Sequence, residues 1–194
     1  MPLRLLRLLL VNRRMLSPSL CPVPAGPLRP RPRPKMREDA LMPAVPAPPP
    51  RIRVAAYVIR RHPFPALLVF DHADFPEAGT QVPAGGVGPG EVPEQAVLRE
   101  VAEETGLAGA RVVRRIAVDG RAHPVTGQPR LTTFLLLDAP ADGPSAWEHR
   151  VRGEGDDAGM RFACRFVPLP LARPLADSQD AWLGRVDPHW ATPG

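Results

Sequence analysis

A chain of 194 residues, 44% hydrophobic and with two cysteines, has room for one domain and a tail. Two cysteines exclude a disulfide framework, and no run of about 18 apolar residues exists that would read as a membrane helix. Residues 1–50 carry nine basic groups against Glu38 and Asp39, whereas 51–194 carry sixteen arginines against eighteen acids, so the pI of about 10.4 belongs to the tail and gives no ground for a nucleic-acid role.

Residues 1–50 read as a disordered Pro/Arg-rich tail, with Pro-Val-Pro, Arg-Pro-Arg-Pro and Ala-Pro-Pro-Pro runs that have no core to bury. Residues 1–20 are Leu- and Arg-rich without an acid, a composition that also fits an organellar targeting segment. The Arg-, Ala- and Pro-rich composition makes Met36 and Met42 alternative starts. Cys21 falls in the tail and Cys164 in an expected strand, so a reduced, cytoplasmic setting is the simpler reading.

The domain is expected over 51–190. Arg51–Arg60 and Ala66–Asp71 read as a strand hairpin broken by His62-Pro-Phe-Pro65. Gln81-Val-Pro reads as a short strand entering the glycine-rich stretch 85–90. Residues 93–105 form the clearest helix, with Pro93 in its first turn and Gly106 just past its end. Arg111–Asp119, Leu131–Asp138, Trp147–Arg152 and Met160–Leu169 read as strands, and Ala176–Leu183 as a short C-terminal helix. The class is α+β.

On the 93–105 helix, at roughly 100° per residue, Glu100, Glu103 and Glu104 share one arc. Val97, Leu98, Val101, Ala102 and Thr105 fill a neighbouring arc that can face a sheet. Like charges at these spacings repel, and the helix dipole disfavours anions in a last turn. Only Arg99 offers local compensation. Three carboxylates held together against those costs suit a hard divalent cation. Gly85, Gly86, Gly88 and Gly90 let backbone approach metal and phosphate closely.

The stretch Gly85-Gly-Val-Gly-Pro-Gly90-Glu91, followed by Arg99-Glu100-Val-Ala-Glu103-Glu104-Thr-Gly106-Leu107, resembles the Nudix box at all nine specified positions. A chance match is improbable, on the order of 10⁻⁷ for ordinary residue frequencies. The resemblance implies a Nudix fold, a mixed β-sheet sandwiched between helices (α/β/α). It implies a metal-dependent hydrolase that cleaves a phosphoanhydride bond in a nucleoside diphosphate linked to another moiety. By resemblance, Glu100, Glu103 and Glu104 hold Mg²⁺, with Mn²⁺ as the alternative, and one of them, Glu100 first, alternatively activates the attacking water. Arg99 orients a catalytic glutamate, Glu91 supports the loop–helix junction, and Gly85, Gly86 and the carbonyl of Ala84 shape the metal and substrate site. Ala84 and Val92 depart from the family's common Gly and Ser/Thr. A further acid is expected from a later loop, with Glu148, Glu154, Asp156 and Asp157 as candidates. The expected partner is a small nucleotide-type molecule, with no membrane and no nucleic acid, and the resemblance allows a homodimer. Pro124 resembles a proline of ADP-ribose-cleaving members, while Gln81-Val-Pro-Ala-Gly-Gly resembles dinucleoside-polyphosphate hydrolases, so the substrate stays open. The second function class is a non-catalytic Nudix-fold nucleotide sensor, which loses box glutamates that this chain keeps.

Overall fold

The structure is a computed structural model that describes residues 48–124, 126–152 and 157–191. Eight regular elements follow in chain order: β1 (Arg51–Arg60), β2 (Ala66–His72), β3 (Ala84–Gly86), α1 (Pro93–Thr105), β4 (Arg111–Ala122), β5 (Pro129–Asp138), β6 (Ala146–Arg150) and β7 (Arg161–Pro168). They build one seven-stranded sheet in the order β4-β5-β1-β2-β7-β6, with β3 added alongside β1.

β1 is the axis of this sheet. It runs parallel to β5 from Arg51↔Arg130 to Ile59↔Asp138. Its antiparallel partners divide its length: β3 takes Arg53–Ala55, and β2 takes Ile59 and Arg60. Val54–Ile59 is buried without a break, because both faces of the sheet are covered there. Val54, Ala56 and Val58 join Ala96, Val97 and Val101 of α1 in one core. Ala55, Tyr57 and Ile59 join Leu171, Leu175, Leu183 and Trp190 in the other. Each fully buried Val or Leu stabilises by roughly 1.5–3 kcal/mol, so docking α1 through Val97 and Val101 outweighs its weak N-terminal cap.

The C-terminal segment corrects an expectation. Ala176–Leu183 is no α-helix; the chain makes 3₁₀ turns at Ala176–Ser178, Leu183–Arg185 and Pro188–Trp190. Asp177 and Ser178 have φ near +53° and +52°, outside the right-handed helical region. Side-chain bonds hold this segment instead. Tyr57 donates its hydroxyl to Gln179 O at 2.6 Å, and Val82 N donates to Gln179 Oε1 at 2.8 Å. The second helical layer is therefore a layer of turns, and α1 is the one α-helix among the described residues. The short strand expected at Gln81–Pro83 lies at Ala84–Gly86, with Gln81 making only a bridge to Phe70. No helix among the described residues is long and apolar enough to cross a membrane. Cys164 is a buried free thiol, and Cys21 lies outside the described residues.

Candidate active site

α1 starts at Pro93 and stops where Gly106 turns left-handed, with φ 69°. Val92 offers no side-chain cap; Gln95 Oε1 accepts from Val92 N at 3.5 Å. The buried face of α1 is Ala96, Val97, Glu100, Val101, Glu104 and Thr105. Leu98 is 38% exposed and Ala102 faces outward, so the packed arc differs from the expected one. Glu100 and Glu104 occupy the middle of the buried face, while Glu103 sits at its margin.

Glu104 faces β3 and accepts a hydrogen bond from Ala84 N at 2.9 Å. Burial pushes its carboxyl well above the usual carboxylate range, against the pull of that N–H, and the neighbouring Glu100 and Asp157 charges add to the rise. Glu100 lies against Gly85 so closely that a Cβ there would fall 2.0 Å from its Cδ. Burial raises the Glu100 pKa too, opposed by Arg99.

Arg99 joins the loop to the helix. Its Nε and Nη2 donate to the two oxygens of Glu91, both at 3.0 Å, in a fork-to-fork pair. Its Nη2 also donates to Gly86 O at 2.8 Å, and its Nη1 donates to Glu100 at 2.8 Å and to Glu103 at 3.1 Å. Glu91 accepts in addition from Gly88 N at 2.9 Å, and Arg99 first, then that N–H, hold its carboxyl below the usual range. β6 and the residues just after it fix the other end of α1. Trp147 Nε1 donates to Thr105 O at 2.7 Å, His149 Nε2 lies 3.0 Å from Glu103 O, and Arg152 N donates to that same carbonyl at 3.0 Å. These bonds satisfy carbonyls that a helix end leaves open.

The glycine loop and the carboxylate face of α1 border one cavity of about 910 Å³, a size that suits a nucleotide. Ala84, Gly85, Gly86, Glu91, Arg99, Glu100, Glu103 and Glu104 all line it. Of the later acids, Asp157 lines it as well; Glu148 sits on β6 opposite Ala163 and does not; Glu154 and Asp156 lie outside the described residues. Tyr57, Phe70 and Phe134 are core residues. Sequence reasoning missed the wall formed by Arg51, Arg53, His123 and Arg130, which only strand register brings together.

Among the described residues, no group of three or more His, Cys, Asp or Glu side chains stands arranged to hold a metal ion. Arg99 takes part of that room, bonded to Glu100 and Glu103. The donor chemistry nevertheless fits a hard divalent cation. The facing side chains are carboxylates, two of them are buried, and Glu104 has only a backbone N–H as partner among the described residues. Mg²⁺ is ordinarily held by one or two carboxylates, with water and substrate phosphates completing its shell.

The NUDIX domain family matches residues 49–186. No curated protein matches the chain. Among solved structures, MutT NUDIX hydrolase from Burkholderia pseudomallei is 24% identical with a TM-score of 0.51, over 72% of this chain and 99% of that one. The NUDIX domain of Shewanella oneidensis NrtR complexed with ADP ribose is 17% identical, TM-score 0.51, over 72% and 87%. A UDP-X diphosphatase is 17% identical, TM-score 0.49, over 77% of this chain and 66% of its own. The family match spans most of the chain, and its box falls on the loop and helix that border the cavity: the chain belongs to the Nudix hydrolase family.

Proposed function

We propose that the chain hydrolyses a phosphoanhydride bond in a nucleoside diphosphate linked to another moiety, with Mg²⁺ as its cation and Mn²⁺ as a substitute. One observation carries this reading: three carboxylates of α1 converge on a nucleotide-sized cavity, two of them from the buried face of the helix. A family domain of the same fold is complexed with ADP ribose, which supports a small nucleotide-type ligand here.

When bound, the cation would neutralise phosphate charge and lower the pKa of an attacking water. Glu103 and Glu104 would hold it, with Glu100 either a third ligand or, in place of that, the base. The remaining work belongs to the chain. Glu100, with its pKa raised by burial, is the first choice to take the proton from water as the water attacks phosphorus in line. Arg99 keeps Glu100 and Glu103 in place and ties both to Glu91 and the glycine loop. Gly85 and Gly86 leave the backbone bare beside the reacting phosphate. Asp157 is the later-loop acid whose place on the cavity suits a supporting role. A non-catalytic nucleotide sensor of this fold usually loses box glutamates, and every box glutamate is present. A buried free Cys164 suits the reducing cytoplasm that we propose as the setting.

The test is a hydrolysis panel of ADP ribose, diadenosine polyphosphates, nucleoside triphosphates and nucleotide sugars, each with Mg²⁺ and with EDTA. Turnover of at least one class with Mg²⁺ and none with EDTA is expected. Turnover that needs no divalent ion, or none in any class, would overturn the reading.

A further inference from the structure

The cavity that holds the carboxylates has a second wall of opposite sign. In sheet register Arg51 of β1 stands opposite Arg130 of β5, and Arg130 stands opposite Arg121 of β4. Three guanidiniums thus form one row across three adjacent strands. Arg53, two residues along β1 on the same face, lines the cavity with Arg51 and Arg130. Like charges placed directly opposite each other destabilise a sheet.

Two carboxylates answer these four cations. Asp119 pairs with Arg121 at 2.8 Å, and Asp177 of the C-terminal segment pairs with Arg130. Among the described residues neither Arg51 nor Arg53 has an ion-pair partner. Arg53 Nη2 donates to Ala84 O at 3.2 Å, and its Nε is buried without an acceptor. Burial, then repulsion by Arg130 and Arg51, lowers the Arg53 pKa. Tethering the C-terminal segment accounts for Arg130; Arg53 has the Ala84 carbonyl and the more distant charges of Glu104 and Asp177, and among the described residues neither Arg51 nor Arg53 has a carboxylate at ion-pair distance. One residue joins the two walls: Ala84 gives its N–H to Glu104 and accepts from Arg53 at its carbonyl.

We infer that Arg51, Arg53 and Arg130 form an anion subsite for a phosphate of the substrate beyond the anhydride cleaved at the α1 carboxylates. The subsite selects nucleotides that carry an additional phosphate over those that end in an uncharged sugar. This rests on the hydrolase reading above. Arg51 and Arg53 have no carboxylate at ion-pair distance among the described residues, although the carboxylates of α1 line the same cavity. A terminal phosphate, at about −1.5 to −2 near neutrality, offers both guanidiniums a charged acceptor, and an uncharged ribose does not.

Two measurements on the full chain test it, with circular dichroism to show that each variant folds. Arg130 is left intact because it pairs with Asp177; Arg51→Gln and Arg53→Gln are used instead. First, inorganic pyrophosphate is titrated calorimetrically in EDTA. Wild type is expected to bind, and each variant to bind about tenfold more weakly. Second, kcat/KM with Mg²⁺ is compared for a nucleoside triphosphate and ADP ribose. Wild type is expected to favour the triphosphate, and both variants to lose that preference through KM, with little change in kcat for Arg51→Gln. Pyrophosphate that does not bind wild type, variants that bind it as wild type does, or equal or better turnover of ADP ribose would overturn the subsite. Mg²⁺-dependent turnover indifferent to both substitutions sinks the subsite alone and leaves the hydrolase reading standing. Arginine-dependent pyrophosphate binding with no turnover of either nucleotide supports the subsite and counts against the hydrolase reading.

Discussion

At Gly85 a methyl group has no room, because its Cβ would fall 2.0 Å from Cδ of Glu100. Gly85→Ala therefore displaces the Glu100 carboxylate. Misplacement of about 1 Å near a reacting centre costs on the order of 10²-fold in rate, so kcat should fall by about that factor while far-UV circular dichroism is retained. Wild-type kcat in that variant would show that the carboxylate's position is immaterial. Glu104 supplies a pH prediction. Its folded-state pKa lies well above the ordinary 4.5, chiefly through burial. The native state thus holds the proton more tightly than the unfolded chain. Stability is lost as pH rises from the unfolded value through the folded one. Cation-free protein should melt at lower temperature at pH 8 than at pH 5.5, Glu104→Gln should narrow that gap, and Mg²⁺ should stabilise wild type more at pH 8. An equal gap in the variant would contradict this account. The identities of these residues were legible in the sequence, since spacing alone brings Glu100, Glu103 and Glu104 onto one arc. Their burial was not. Leu98 and Ala102 looked like packing residues, and the docking of α1 on β1 and β3 turns Glu100 and Glu104 inward.

Among the elements, α1 was the most legible. Pro93 and Gly106 mark its ends through backbone rules that act locally, and the helix runs Pro93–Thr105. What anchors its last turn is distant in sequence and left no local signal. Trp147 and His149 of β6 reach the carbonyls of Thr105 and Glu103. Trp147→Phe keeps an aromatic ring but removes the N–H donor to Thr105 O and part of the indole that packs against the core. A loss of about 1 kcal/mol or more in unfolding free energy is expected, together with a fall in kcat, because the turn carries Glu103 and Glu104. Chemical denaturation checks the first and steady-state kinetics the second; an unchanged midpoint would remove β6 as the anchor. The C-terminal segment was misread for a related reason. Its composition suits a helix, but Tyr57, Val82 and Arg130 hold it by long-range bonds in a shape that includes two left-handed residues. Tertiary bonds override propensity in so short a segment.

For the whole molecule, the parallel pairing of β1 with β5 creates the cavity's two-signed character. That pairing sets Arg51 beside Arg130, and the loop and helix set the glutamates near them. The order of strands followed from alternation and turn residues, whereas their register did not, so the acidic wall was legible and the basic wall was hidden. The carboxylates of α1 remain the centre of the account. Its most direct test is the turnover of wild type and Glu103→Gln side by side across a Mg²⁺ titration, on whichever nucleotide wild type cleaves best. Glu103 is part-exposed and at the margin of the packed face, so the variant should fold as wild type does. Wild-type turnover should saturate with Mg²⁺ and the variant should lose about 10²-fold or more at every concentration, as removal of a group acting on the reacting centre does. Equal turnover of the two proteins, or activity undiminished without divalent ion, would contradict the account.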